Sequence, residues 1–177
     1  YWSASGEMVH GHTYSSPSFL VPINFFELQN GDISVEVTGN HAFGISARLD
    51  ENDSGLYAYV SPDANVARIR LVENGNQSTI FNSLYADFPS GVMYQLTLSC
   101  EEENVSLSIS VPSTDQSWIL NAVDPDPHAG VFGFHMGNES GASWDWISAE
   151  TETVSGDVEL SWMTTDDQCL GNGDFAF

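Results

Sequence analysis

The sequence predicts an all-β protein, a two-sheet antiparallel sandwich of the jelly-roll kind, on three observations. The first is the stretch Gly91 to Val111, GVMYQLTLSCEEENVSLSISV. In it Val92, Tyr94, Leu96, Leu98 and Cys100 alternate with Met93, Gln95, Thr97 and Ser99, and after the acidic turn Glu101-Glu102-Glu103 the alternation resumes as Val105, Leu107, Ile109 and Val111. Two period-two runs joined by a short polar turn make a β-hairpin with one dry face, and a dry face needs a second layer about 10 Å away. The second observation is that strand-length runs rich in Val, Ile, Phe, Tyr and Thr recur between clusters of Gly, Pro, Asn and Asp, with no sustained helical period. The third is Asn74-Gly75, a dipeptide that accepts the positive φ of a two-residue hairpin turn.

Taken in order, Tyr1 to His12 reads as a short edge strand centred on Glu7 to His10. Ser18 to Ile23 is the next run, and Pro22 confines it to a sheet edge or a strand end because proline donates nothing to a ladder. Gly31 to Thr38 sets Ile33, Val35 and Val37 on one face. Ala42 to Leu49 is expected to turn Phe43, Ile45, Ala47 and Leu49 inward and to leave Arg48 outside with Gly44 and Ser46. After the acidic turn Asp50 to Gly55, Tyr57 and Tyr59 share one face of LYAYV while Leu56, Ala58 and Val60 share the other. Val66 to Val72 places Ile69 and Leu71 opposite Arg68 and Arg70, and Gln77 to Phe81 is its return strand.

Residues 82 to 90 read as a loop, followed by the hairpin described above. Trp118 to Asn121 is a short strand, Asp124-Pro125-Asp126-Pro127-His128 a rigid acidic loop, and Gly130 to Met136 and Ala142 to Glu150 close the sandwich. The sandwich is expected over 1–151. Residues 152–177 form an acidic extension, a strap or a linker, with one candidate strand from Asp157 to Trp162.

Composition narrows the function. A chain of 177 residues, 41% apolar, suffices for one domain with an ordinary core. No apolar run approaches 18 residues, so no membrane-spanning helix is expected. Twenty-five acids stand against three arginines and no lysine, a net charge of −22. Such a surface repels nucleic acid and anionic headgroups, which need clustered Lys or Arg. It is a soluble surface, and it also suits high salt or a calcium-rich exterior, where cations screen the self-repulsion. A start at Tyr1 without Met fits removal of a signal peptide or excision from a longer chain. Cys100 and Cys169 either form a disulfide, which an extracellular setting permits and which would add roughly 4 kcal/mol, or stay as two buried thiols.

Three segments carry a resemblance. FGISARLDENDSGLYAYV with RIRLVENG, then SGVMYQLTLSCEEENVSLSI, then GVFGFHMGNESGASWDWISA resemble successive strand motifs of the concanavalin A-like lectin/glucanase superfamily in its laminin-G-like form. The likeness spans roughly residues 31 to 150. It implies a two-sheet jelly roll, usually extracellular, commonly binding glycans or proteins and often holding calcium. The E-x-D-x-x-E strand of the family's hydrolases is missing. A retaining hydrolase needs two carboxylates about 5 Å apart across the sugar, and catalysis is not expected from these motifs.

All three cations sit inside strands, and Arg48, Tyr57, Tyr59 and Arg70, with His135 on the closing strand, are the candidate ligand-binding residues. Aromatic rings stack on sugar faces, and guanidinium holds a carboxylated or sulfated sugar through paired hydrogen bonds. The competing reading pairs each arginine with a cross-strand acid and gives His135 a structural place. Trp144 and Trp146 share a face of the last strand and serve either core packing or sugar stacking. Calcium takes six to eight oxygen ligands, and its candidates are the runs Asp50 to Asp53 and Asp124 to Asp126, and Asp145, which matches the closing-strand Asp of the resembled family. His10 and His12 offer two nitrogens without an evident third ligand. The sequons at Asn52, Asn76, Asn104 and Asn138 carry little weight in a chain so rich in Ser and Thr. The leading expectation is a secreted, non-catalytic carbohydrate-binding module. Its alternatives are a structural or adhesive module of a larger surface protein or filament, and a divergent glycoside hydrolase.

Overall fold

A computed structural model describes residues 2–5, 8–12, 18–22, 29–52, 54–73, 76–136, 141–150 and 162–164, with side chains described within 29–52, 54–73 and 79–136. Among these residues all regular structure is β apart from one short 3-10 turn at Pro62–Ala64. The strands are β1 Trp2–Ser5, β2 Met8–His12, β3 Ser18–Pro22, β4 Gly31–Gly39, β5 Phe43–Leu49, β6 Gly55–Ser61 and β7 Val66–Glu73. They continue as β8 Asn76–Tyr85, β9 Met93–Glu101, β10 Asn104–Val111, β11 Gln116–Val123, β12 Val131–Met136, β13 Gly141–Glu150 and β14 Trp162–Thr164. Two seven-stranded antiparallel sheets result, in the orders β1-β2-β13-β4-β9-β10-β11 and β14-β3-β12-β5-β6-β7-β8.

The hairpin at 91–111 forms as its alternation dictates. Leu98 opposes Leu107 and Leu96 opposes Ile109 across β9 and β10, and all four are shut off from water. Ile33, Val35 and Val37 of the neighbouring β4 extend this apolar face. From the second sheet, Phe43, Ile45, Leu56, Ala58, Ile69, Phe132 and Phe134 meet it and complete one continuous core.

Several expectations need correction. The strand expected at an edge is an inner one over Met8–His12, because β1 pairs outside it and β13 inside it, while Glu7 lies outside the described residues. Of the two places expected for Pro22, the strand end is the one found: it ends β3, which lies between β12 and β14. Residues 82–85 are strand rather than loop. The β7–β8 register shifts twice, leaving Ser78 and Phe81 as extra residues on β8, and the two bulges hide its alternation. The Glu73 to Asn76 pairing leaves two residues between these strands, as Asn74-Gly75 implied, although those two lie outside the described residues. Residues 157–161 also lie outside them, and β14 begins at Trp162.

The largest departure is on β5. Val131 pairs with Leu49 but Gly133 pairs with Ser46, so β5 carries one extra residue, and Arg48 there adopts a left-handed conformation with φ 56°. Leu49, expected inward, instead packs outside the core against Tyr57, Val72 and Val131. Arg48, expected outside, turns in toward the end of the sandwich. Neighbouring backbone crowds the kink so closely that a Cβ on Gly130 would stand 2.4 Å from the Arg48 carbonyl carbon, and one on Gly55 2.6 Å from its oxygen. Gly130→Ala should therefore cost about 3 kcal/mol of stability, read by denaturant unfolding at fixed salt. An unchanged midpoint would show that the kink is not closely held.

Candidate functional site

Because strand neighbours in register share a face, pairing defines the outer surface of the second sheet. Tyr57 opposes Ser46 and Arg70, and Tyr59 opposes Gly44 and Arg68. On the far sides, His135 opposes Gly44, Arg68 opposes Ser83, Arg70 opposes Ile80 and Val66 opposes Tyr85. Four of the five expected ligand residues, Tyr57, Tyr59, Arg70 and His135, are thus brought onto one face. Arg48 is not among them. Arg68 and Tyr85 join them, and the second was hidden by the β8 bulges.

Gly44 makes the centre of this face possible. A Cβ there would lie 2.1 Å from the Ala58 carbonyl oxygen, and without one the His135 ring sits 5.3 Å from Tyr57 and 5.6 Å from Tyr59, centroid to centroid. This trio is closed to solvent, with Tyr57, Tyr59 and His135 exposed by 1%, 6% and 2%. Rings so covered position their neighbours and cannot present a face to a sugar. Burial, reinforced by the positive charge of Arg70, pushes the His135 pKa down to about 3, so the ring is neutral near pH 7.

The accessible part of the face lies toward β7 and β8. Arg68 and Arg70 are half-buried, and Tyr85 is 71% exposed. Arg68 Nη1 donates to the Tyr59 hydroxyl at 3.4 Å, and the hydroxyls of Tyr59 and Tyr85 together raise the guanidinium pKa above its ordinary value. No carboxylate lies within ion-pair distance of Arg68 among the described residues.

Arg48 has a different task. Its Nη1 donates to Asp124 Oδ2 at 2.6 Å, Nε and Nη2 donate to the Gln29 carbonyl at 3.0 and 2.8 Å, and Nη2 also donates to the Glu102 carbonyl at 2.5 Å. The pair is almost fully buried, with side-chain exposures of 1% and 3%. A charge so well satisfied holds three loops together and has no donor to offer a ligand.

Asp50 is likewise committed to its own turn. Its Oδ1 accepts from the Asn52 and Ser54 amides, both at 2.8 Å. Burial would raise its pKa, but these bonds prevail and hold the carboxyl below its ordinary value. Asp53 and the Asp145 side chain lie outside the described residues. Among the described residues no group of three His, Cys, Asp or Glu is placed to hold a metal. Cys100 is a buried free thiol among the described residues, its pKa pushed up to about 11 by burial, and Cys169 lies outside them. No described helix is long and apolar enough to cross a membrane.

No family model matches the chain, and no curated protein matches it in sequence. Solved structures do match. A carbohydrate-binding module, CBM66, from Bacillus subtilis superposes with a TM-score of 0.74 at 17% identity, over 85% of this chain and 91% of that one. The exoplasmic/lumenal domain of VIP36, in its Ca2+/Man3GlcNAc-bound form, gives 0.62 at 13% identity over 89% and 85%. Galectin LEC-6 of Caenorhabditis elegans gives 0.52 at 14% identity over 78% and 95%. The chain has the concanavalin A-like lectin/glucanase fold. Within this concanavalin A-like sandwich the described second sheet contributes the face that carries Arg68, Arg70 and Tyr85.

The buried His135 supplies a test of the geometry. Its folded pKa lies below the unfolded value near 6.5, so the unfolded chain binds the extra proton as pH falls. Its contribution is complete above pH 6.5 and declines by about 1.4 kcal/mol per unit from there toward pH 3. The stability difference between wild type and His135→Gln should shrink over that window, measured by urea unfolding at constant ionic strength. A difference independent of pH would mean that the ring is solvated.

Proposed function

We propose that the chain is a carbohydrate-binding module, acting outside the cell or at its surface, that engages sugar at the open end of the second sheet's outer face. The observation that carries this reading is the grouping of Arg68, Arg70 and the exposed Tyr85 ring on one face of a chain with only three cations. Tyr85 offers an apolar ring for a sugar's C–H face, and the guanidinium groups and the Ser83 hydroxyl offer polar contacts around it. The fold likeness to a carbohydrate-binding module and to two lectin-type structures supports the same reading. Tyr57, Tyr59 and His135 enter as the buried layer that sets the arginine positions.

A glycan array at near-physiological salt is the direct test. Tyr85→Ala removes a side chain that is 71% exposed, so the fold should survive. Binding to at least one glycan class should fall about fivefold or more in this variant, the scale of one lost ring contact. Silence of the wild-type protein across all glycans would overturn the proposal and favour a structural or adhesive module. Release of reducing sugar from a bound polysaccharide would instead make it a hydrolase.

A further inference from the structure

We propose that this open end selects sugars bearing an oxyanion, a uronate carboxylate or a sulfate ester, with Arg68 as the selecting contact; the inference rests on the carbohydrate-binding reading above. Arg48 is buried with Asp124, whereas Arg68, half-buried on β7, has no carboxylate within ion-pair distance among the described residues. Arg70 stands two residues away on the same face, about 7 Å along the strand.

What surrounds Arg68 points to an anion. In a chain with 25 acids, no described strand position on this face of β5, β6, β7, β8 or β12 is Asp or Glu. Ser83 occupies the cross-strand place where an acid would neutralise Arg68, and tyrosine hydroxyls flank it on both sides. Its Nε is buried, out of reach of a ligand, so the Nη end of the fork is the part that can meet one. Guanidinium carries five N–H donors, so hydroxyl partners leave part of the fork for a carboxylate or sulfate, which takes two donors in parallel. A neutral sugar would find the same ring and hydroxyls but would leave the charge unanswered.

The net charge of −22 works against this selection at long range. Anionic polymers are repelled from such a surface, and a Debye length near 8 Å at physiological salt confines that repulsion to close range. Contact at about 3 Å escapes most of the screening, so an anion held here is held by the arginine face and not by a diffuse positive field.

The test uses matched pairs of polymers that differ only in charge: polygalacturonate against its methyl ester, and dextran sulfate against dextran. Affinities are measured by calorimetry for wild type, Arg68→Gln and Arg68→Lys, each checked for a native melting curve. At least one charged polymer should bind about tenfold tighter than its neutral partner, and whichever pair shows the preference tells carboxylate from sulfate. Arg68→Gln should erase the preference while leaving neutral binding in place, and Arg68→Lys, which keeps the charge but not the fork, should retain part of it. Equal binding of charged and neutral partners, or a preference that survives Arg68→Gln, would overturn the selection and leave the carbohydrate reading standing. Failure of all polymers and of the glycan array would remove the underlying reading instead. Should Arg68→Gln fail to fold, loss of the fork-dependent part in Arg68→Lys still decides the matter.

Discussion

One buried ion pair organises an end of this sandwich. Arg48 reaches Asp124 in the connection between β11 and β12, the Glu102 carbonyl in the β9–β10 turn, and the Gln29 carbonyl ahead of β4. A guanidinium removed from water is costly unless its donors are met, and here three of its nitrogens find acceptors in three separate loops. Asp124 is satisfied in turn, its second oxygen accepting from the Asp126 amide while its own amide donates to the Glu103 carbonyl. To bring Arg48 inward the backbone takes a left-handed step, and Gly55 and Gly130 give that step room. The same step throws Leu49 outward to join Tyr57 and Val72, so the inner clasp and the outer apolar cluster are consequences of a single residue's φ.

The sandwich was legible in the sequence, and the clasp was not. The period-two alternation of the 91–111 hairpin and of β4 identified the core-facing residues, since a strand with one dry side leaves little choice of which side chains go in. The same rule put Tyr57 with Tyr59, and Arg68 with Arg70, on one face of their strands, while the pairing of the two strands came from the structure. The rule fails wherever an extra residue enters a strand. Arg48 and Leu49 exchanged their expected faces, and β8 ran past the point where its pattern had become unreadable. A bulge leaves no compositional trace at Arg48, a residue that seldom takes positive φ, and only the two glycines packed against it hint at the distortion.

Burial was the other quantity that pattern could not supply. Tyr57, Tyr59 and His135 occupy outer positions on the second sheet and are nonetheless covered, while Tyr85 at the sheet's edge strand is open. The face is therefore graded, with a dry aromatic centre and a wet margin of arginine and tyrosine. On the proposed reading, that gradation takes ligand contact away from Tyr57, Tyr59 and His135 and toward the β7–β8 margin. It also bears on how cations persist in so acidic a chain: one is sealed from solvent with its own carboxylate, and Arg68 is held among hydroxyls with no carboxylate of the described residues in ion-pair distance.

The central claim is that Arg48 and Asp124 act as a single buried unit that holds the kink of β5. A double-mutant cycle with Arg48→Met, Asp124→Leu and the combined variant, followed by denaturant unfolding at constant high salt, measures it most directly. Each single change should cost about 3 to 5 kcal/mol by stranding a buried charge, and the pair together should cost less than the sum by about 2 kcal/mol or more. Additivity within about 0.5 kcal/mol would show two independent groups and contradict the account.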